Sequence, residues 1–223
     1  MRQLTFWAVL FLTGIAGSMN AQVGIGVRGG VNFASQSIKG NVLDSFEVEN
    51  ITGLSAGVYA EFVVSEFFGI QPELEFIQRG KKSVSDFQEG GVNFTRETVE
   101  KFSYLEVPIL AKIKFGSEDL KVNFLLGPNF GFALNGKEEE TTIINGDSDV
   151  EVRDFDFKDS NYKRLDVGAL AGLGVSVHFG GFSVFADYRY LFGLSDLDDG
   201  DGEVTVKNRG SNLGAGIAIE IGN

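Results

Sequence analysis

The sequence predicts an all-β fold, an eight-stranded antiparallel up-and-down transmembrane β-barrel. Three observations lead to this prediction. Eight segments of about ten residues alternate between apolar and polar side chains, as strands with two different surroundings do. No charged residue occurs on the apolar face of any of them. The connections alternate strictly between long and short, as in outer-membrane barrels, where long loops lie outside and short turns lie in the periplasm.

The predicted strands take up most of the chain after residue 22. They are Val23–Phe33, Leu54–Val64, Phe68–Gln78, Phe102–Phe115, Val122–Leu134, Leu165–Phe179, Phe182–Leu194 and Asn212–Ile221. Long connections follow the first, third, fifth and seventh strands, and short turns follow the others. The apolar faces are bulky, whereas the opposite faces are mostly Gly, Ala and Ser with a few charges. That composition suits the interior of an eight-stranded barrel, which side chains nearly fill.

The first 21 residues form a predicted signal peptide, which leaves residues 22–223 as one barrel domain. Arg2 supplies the positive start, Leu4 to Ile15 is an apolar run too short to span a bilayer comfortably, and Ala21 suits the position before the cut. An uncleaved N-terminal anchor is the alternative. The chain has no Cys, which excludes a lipoprotein anchor, disulfides and Cys-ligated metals.

The chain is acidic. Removing Arg2 with the signal peptide changes the formal net charge from -12 to -13. Nucleic-acid binding depends on neutralising phosphates with basic side chains, so we expect no nucleic-acid partner.

The polar faces of the strands predict a network of charged side chains inside the barrel. Its members are Arg28, Glu61, Glu73, Glu75, Glu106, Lys112, Lys114, Asp166, Asp187, Arg189 and Glu220. Because an unpaired buried charge is very costly, we expect these groups to pair and plug the lumen. The alternative is a small pore, which would favour cations because acids outnumber bases.

Other candidate sites are weaker. His178 is the only histidine, with Ser176 and Asp187 near it in sequence, but no nucleophile-elbow pattern surrounds them, and we predict no catalytic residues. A loop with Asp196, Asp198, Asp199 and Asp201 is a weak calcium candidate, because its spacing fails the EF-hand pattern. A solvated loop is the preferred interpretation, and no cofactor is expected.

Three stretches of the chain resemble a known family. They are VRGGVNF (Val27–Phe33), GIQPELEF (Gly69–Phe76) and YLEVPILAK (Tyr104–Lys112). They resemble the outer-membrane β-barrel family of Bacteroidetes often labelled PorT-like, over essentially the whole mature chain. The resemblance implies a secretion signal, an eight-stranded barrel and an outer-membrane location, but no reaction. Ile221 stands where many such barrels carry the aromatic residue that the assembly machinery reads.

These patterns predict a non-enzymatic outer-membrane protein that is structural, adhesive or accessory to an envelope assembly. Its expected partners are outer-membrane lipid and, during biogenesis, the barrel-assembly machinery. A soluble calyx, with the bulky face turned inward around an apolar ligand, is the alternative from another class. Pro72, Pro108 and Pro128 fall inside predicted strands, where a missing N–H breaks the ladder, so we expect local bulges there.

Overall fold

The computed structural model describes residues 23–40, 47–144, 147–158, 160–200 and 204–221. The regular structure in these ranges consists of ten strands: β1 (Val23–Lys39), β2 (Glu47–Glu49), β3 (Ile51–Ser65), β4 (Phe68–Glu89), β5 (Val92–Gly116), β6 (Leu120–Ile144), β7 (Asp147–Asp154), β8 (Leu165–Phe179), β9 (Phe182–Gly193) and β10 (Thr205–Ile221). The described part of the chain contains no helix long and apolar enough to cross a membrane.

Eight of the strands close into an antiparallel ring in the order β1, β3, β4, β5, β6, β8, β9, β10. Closure is made by β10 and β1, which pair along their whole length from Val23↔Ile221 to Lys39↔Thr205. The short strands β2 and β7 lie outside the ring, β2 on β4 and β7 on β6. The predicted eight-stranded barrel is therefore confirmed.

At the long-connection end, β1, β3, β4, β5, β6 and β10 run further than the sequence predicted. Most of the segment 79–101, predicted as a loop, belongs to β4 and β5, which pair as far as Glu89↔Val92. Gly90 and Gly91 form the turn with φ of 61° and 83°, a backbone region that favours glycine. β6 likewise continues to Ile144. Outside the membrane both faces of a strand meet water, so the apolar–polar alternation that marks a strand in the sequence is lost.

The bulky apolar faces point away from the barrel axis. Leu54 and Leu126 are 63% and 62% exposed, whereas Glu106 and Asp166 on the opposite face are 0% and 1% exposed. Such an extensive exposed apolar surface is expected against lipid and not against water. The soluble calyx alternative requires the reverse arrangement and is not favoured.

The bulges predicted at the three prolines are absent. Pairing of β4 with β5 and of β5 with β6 skips two positions after Pro72 and after Pro108 and then resumes in the same register. Pairing of β6 with β8 runs through Pro128 without a gap. The missing N–H groups therefore interrupt the ladder locally without inserting a residue. The register shift in this region lies instead between Ser103 and Tyr104 of β5.

Candidate functional site in the barrel interior

The end of the barrel with the short turns opens into a vestibule of about 780 Å³. Its charged lining includes Glu61 of β3, Lys112 and Lys114 of β5, Lys121 of β6 and Glu220 of β10. The Glu61 carboxylate accepts hydrogen bonds from Lys112 Nζ and Lys114 Nζ, each at 2.7 Å. At the rim, His178 Nε2 lies 3.8 Å from a Glu220 carboxylate oxygen. The vestibule thus holds four of the residues that the sequence assigned to the interior.

A cluster of two arginines and three carboxylates fills one wall in the middle of the barrel. Asp187 bridges the two arginines, receiving hydrogen bonds from Arg28 Nη2 at 2.5 Å and from Arg189 Nη2 at 3.0 Å. Arg28 Nη1 donates to Glu75 at 2.9 Å, and Arg189 Nη1 donates to Glu73 at 2.7 Å. We call these five residues the central charge cluster. All of them are buried, so each charged group has its ion-pair partner inside the barrel and not in water.

The local sequence makes room for this cluster. Arg28 lies across from the glycine-rich β10, where Gly214 packs against the guanidinium. A Cβ on Gly214 would lie 2.3 Å from Arg28 Nη2 and 2.4 Å from Arg28 Cζ. A side chain at this position would therefore displace the arginine from its carboxylates. The Gly-rich inner face provides the space that the large charged side chains occupy.

A second ion pair joins β4 and β5 nearer the long-connection end. Arg79 Nε and Nη2 donate to the two oxygens of Glu106 at 2.6 and 2.9 Å, and Asn129 Nδ2 donates to Glu106 at 2.9 Å. Arg79 was missed because it lies just beyond the predicted third strand. The signal was present, since alternation continued from Glu73 and Glu75 through Ile77 places Arg79 on the inner face.

The opposite wall of the barrel centre is apolar. Leu110, Leu125, Leu170 and Leu191 form a buried cluster contributed by β5, β6, β8 and β9. We call it the leucine wall. It faces the barrel interior and not lipid, and the sequence analysis did not predict it. Leucines on the inner faces fill space that would otherwise admit water, which supports a closed interior.

An aromatic cap closes the mouth at the long-connection end. The segment between β7 and β8 places Phe155 and Tyr162 on Phe102 of β5, with ring centroids 4.9 and 4.8 Å apart respectively. Phe157 packs against the same group. Burial raises the pKa of the Tyr162 phenol well above its ordinary value.

Asp166 lies just beneath the cap in a separate group of hydrogen bonds. It accepts from Asn208 Nδ2 and from Ser195 Oγ, both at 2.9 Å. The Tyr104 and Tyr162 hydroxyls lie 3.2 Å apart beside it. Its partners are therefore neutral groups, in contrast to the other interior carboxylates described above.

Little space remains between the vestibule and the cap. The two further cavities found in the described interior hold about 10 Å³ each. Each is about the size of one water molecule. Neither of these two cavities is large enough to pass a hydrated ion.

In the acidic loop that contains Asp196 and Asp198, a carboxylate hydrogen-bonds to nearby backbone N–H groups. Asp196 accepts from the backbone N–H groups of Asp198 at 3.1 Å and Val206 at 2.8 Å. Burial acts to raise the pKa of Asp196, but these hydrogen bonds outweigh it and hold the pKa below its ordinary value. Asp199 pairs with Lys163 at 3.3 Å, and Asp201 lies outside the described residues. No group of three acids or histidines arranged to hold a metal ion occurs within the described ranges.

The closed ring, the apolar outer face and the charged inner face together define a transmembrane β-barrel. Residues 17–199 match the family described as "Outer membrane protein beta-barrel domain", and the chain belongs to that family. The family is one of outer-membrane barrels. No curated protein matches the chain in sequence. Membership of the Bacteroidetes PorT-like group is a finer statement than this match and stays a prediction, as does the signal peptide, which lies outside the described residues.

Several solved outer-membrane proteins are similar to the chain in structure. Ail, the attachment invasion locus protein of Yersinia pestis, is 20% identical with a TM-score of 0.40, over 90% of this chain and 100% of Ail. OprG of Pseudomonas aeruginosa is 12% identical with a TM-score of 0.48, over 92% of this chain and 100% of OprG. The protease OmpT of Escherichia coli is 6% identical with a TM-score of 0.40, over 92% of this chain and 99% of OmpT.

Proposed function

We propose that the protein is a non-enzymatic outer-membrane barrel with a closed lumen, and that it acts through its extracellular surface. Its role is structural or adhesive, or accessory to a larger envelope assembly. The observation that carries the proposal is the packed interior, where the central charge cluster and the leucine wall together fill the cross-section. A pore needs a continuous water path, and the cavities in this region hold about one water each.

The arrangement of the candidate nucleophile and base supports the absence of catalysis. Ser176 and His178 line the vestibule, whereas Asp187 is held by Arg28 and Arg189 in the central charge cluster. A hydrolytic triad requires the carboxylate to orient the histidine. Asp187 forms ion pairs with two arginines, so it does not orient His178.

The extracellular surface offers the area for recognition. Beyond the membrane, β2, β4, β5, β6 and β7 pair side by side and extend the sheet away from the barrel. All eight residues of β7 are exposed. Functional contacts of barrels with other molecules are concentrated on such extensions of a rigid scaffold.

We also propose a route by which the protein reaches the outer membrane. A cleaved signal peptide, residues 1–21, exports the chain to the periplasm, and the barrel-assembly machinery inserts it among outer-membrane lipids. The three motifs quoted above support membership of the PorT-like group.

A small cation-leaning pore is the second candidate. The vestibule favours it, because about 780 Å³ of open space already leads inward from the short-turn end. The test is conductance of the refolded protein in planar lipid bilayers, with folding verified by heat-modifiable migration. We expect no current steps. Reproducible cation-selective steps from the folded protein would replace the closed barrel with the pore.

A further inference from the structure

The vestibule at the short-turn end separates its charges by depth. The side chains of Glu61, Lys112 and Lys114 are between 10% and 13% exposed. The other acids that line the vestibule include Glu66, Glu118 and Asp119, which are exposed and belong to the short turns. The inner part therefore contains two lysines and one glutamate, whereas the rim is acidic.

The local structure places both lysines against the same carboxylate. Lys112 and Lys114 are two residues apart on β5 and so point to the same face of the strand. Glu61 lies on β3, and β4 runs between the two strands, with Gly69 as the register partner of Lys112. A Cβ on Gly69 would lie 3.1 Å from Glu61 Oε1. The glycine therefore leaves the space in which the two lysines reach across β4 to Glu61.

Two ammonium groups share one carboxylate in the inner part of the vestibule. Lys112 Nζ and Lys114 Nζ each donate to Glu61 at 2.7 Å. Neither lysine pairs with a second acid in the described part of the chain. An ammonium group has three N–H donors, so donors remain on both lysines after their bonds to Glu61. Two positive charges and one negative charge leave an excess of one positive charge, which one further carboxylate would neutralise.

An aromatic wall stands beside the lysines. Tyr59 and Phe185 both line the vestibule and pack edge to face, with ring centroids 5.7 Å apart. Lys112 Nζ lies 5.9 Å from the centroid of the Tyr59 ring. Tyr59 is only 5% exposed, and its hydroxyl forms no hydrogen bond with any residue that the structure describes. Small-molecule sites combine such an apolar wall with a few polar groups that fix the orientation of the ligand.

Charge and size indicate which ligand fits. A carboxylate carries the single negative charge that balances the inner part, whereas a phosphate group carries more than one at neutral pH and would be repelled by Glu61. The exposed acids Glu66, Glu118 and Asp119 favour a positive charge elsewhere on the same ligand. The volume of about 780 Å³ is that of a site for a small molecule. A short peptide with a free C-terminus and a basic side chain has all of these properties.

We propose that the vestibule binds short peptides in the periplasm, with the C-terminal carboxylate held between Lys112 and Lys114. The carboxylate accepts charge-assisted hydrogen bonds from both ammonium groups. The rings of Tyr59 and Phe185 cover the apolar part of the peptide, and its basic side chain lies near the acidic rim. Glu61 competes with the ligand for the same two lysines and so limits the affinity.

This site goes beyond the proposed function. It lies at the opposite end of the barrel from the extracellular surface, and binding there requires no passage through the lumen. A barrel that conducts and a barrel that is closed would both retain it. Peptide binding and conductance are therefore separate measurements, and failure of one leaves the other unaffected.

The test measures peptide binding to the refolded full barrel in neutral detergent by isothermal titration calorimetry. The probes are an N-acetylated alanine–lysine–alanine peptide with a free C-terminal carboxylate, the same peptide as its C-terminal amide, and inorganic phosphate. The site variants are Lys112→Gln, Lys114→Gln and Glu61→Gln. The matched control is Lys82→Gln, which removes one positive charge from β4 at the long-connection end. Heat-modifiable migration verifies that each variant folds.

We expect the free acid to bind at least about tenfold more tightly than the amide, because hydrogen bonds to charged groups contribute that much each. Each lysine variant should lose about tenfold of the affinity for the acid, and the control should lose none. Glu61→Gln should bind the acid more tightly, because both lysines are then available to the ligand.

Four results would overturn the proposal. The first is equal binding of the acid and the amide, including no binding of either. The second is tighter binding of phosphate than of the acid, which would indicate a site for any anion. The third is an equal loss in Lys82→Gln and the lysine variants, because net charge alone would then explain the effect. The fourth is unchanged or weaker binding of the acid by Glu61→Gln.

Discussion

Asp187 is the residue on which the central charge cluster depends. It is the only carboxylate of the cluster that hydrogen-bonds to both Arg28 and Arg189, at 2.5 and 3.0 Å for the closest contacts. Glu75 and Glu73 each serve one of these arginines. Loss of Asp187 would leave two guanidinium groups buried, with the four ion pairs of the cluster reduced to two. Breaking a buried pair in this way costs more than an exposed pair contributes.

We therefore predict that Asp187→Asn lowers the free energy of unfolding by about 3 kcal/mol or more. The measurement is urea unfolding of the barrel refolded in lipid vesicles. Asp119→Asn is the control, because Asp119 is an exposed turn residue. A loss no larger than that of the control would show that the remaining carboxylates compensate both arginines without Asp187.

For single residues, the sequence predicted which face of the barrel a side chain lies on, but not which residue it pairs with. Alternation alone places Glu75 and Glu106 on the inner face, and the structure makes them direct register partners. Two carboxylates in that position would repel, yet each has its own arginine, Arg28 for Glu75 and Arg79 for Glu106. Pairing across the lumen depends on strand stagger and barrel closure, which a strand-by-strand pattern does not contain.

Next to the interruption after Pro108, Gly127 of β6 lies close to the backbone of β5. A Cβ on Gly127 would lie 2.0 Å from the Ile109 carbonyl oxygen and 2.9 Å from its carbon. These are backbone atoms of the neighbouring strand, so a side chain could be accommodated only by moving the strand. Pro108 is thus tolerated beside a glycine that lets the two backbones come together without a bulge.

We predict that Gly127→Ala destabilises the barrel by about 1–3 kcal/mol, because overpacking forces the β5 backbone to shift. Urea unfolding in lipid vesicles measures the loss, and hydrogen exchange at residues 105–115 should locate it. Gly181→Ala is the control, since a Cβ there meets nothing within 4 Å. Similar stability of the two variants would mean that β5 and β6 separate at little cost.

How well the sequence predicts the end of a strand depends on whether lipid or water surrounds that end. β8 has the predicted bounds Leu165–Phe179, and the short-turn ends of the other barrel strands lie within two residues of the prediction. At the other end β4 and β5 run past the predicted bounds to a glycine turn. Lipid imposes a strict apolar face only within its own thickness, so the sequence marks strands where lipid covers them and loses them where water does.

Across the whole molecule, three groups of side chains narrow the lumen one after another along the barrel axis. From the short-turn end these are the central region, with the charge cluster on one wall and the leucine wall on the other, then the Arg79–Glu106 pair, then the aromatic cap. The barriers use different chemistry, ionic, apolar and aromatic. Their side chains come from most of the strands in the ring, so the proposed closure would depend on the barrel and not on one loop.

This arrangement predicts that opening one barrier leaves the lumen closed. The variant Phe102→Ala/Tyr162→Ala removes the cap but keeps the central region, so we expect planar-bilayer recordings as silent as those of the unaltered protein. Adding Arg79→Ser/Glu106→Ser and Leu125→Ala/Leu191→Ala should give small current steps that favour cations, because the carboxylates Glu73 and Glu75 then line the path. Steps from the cap variant alone would mean that the central region holds enough water to conduct, and that the cap is the single gate.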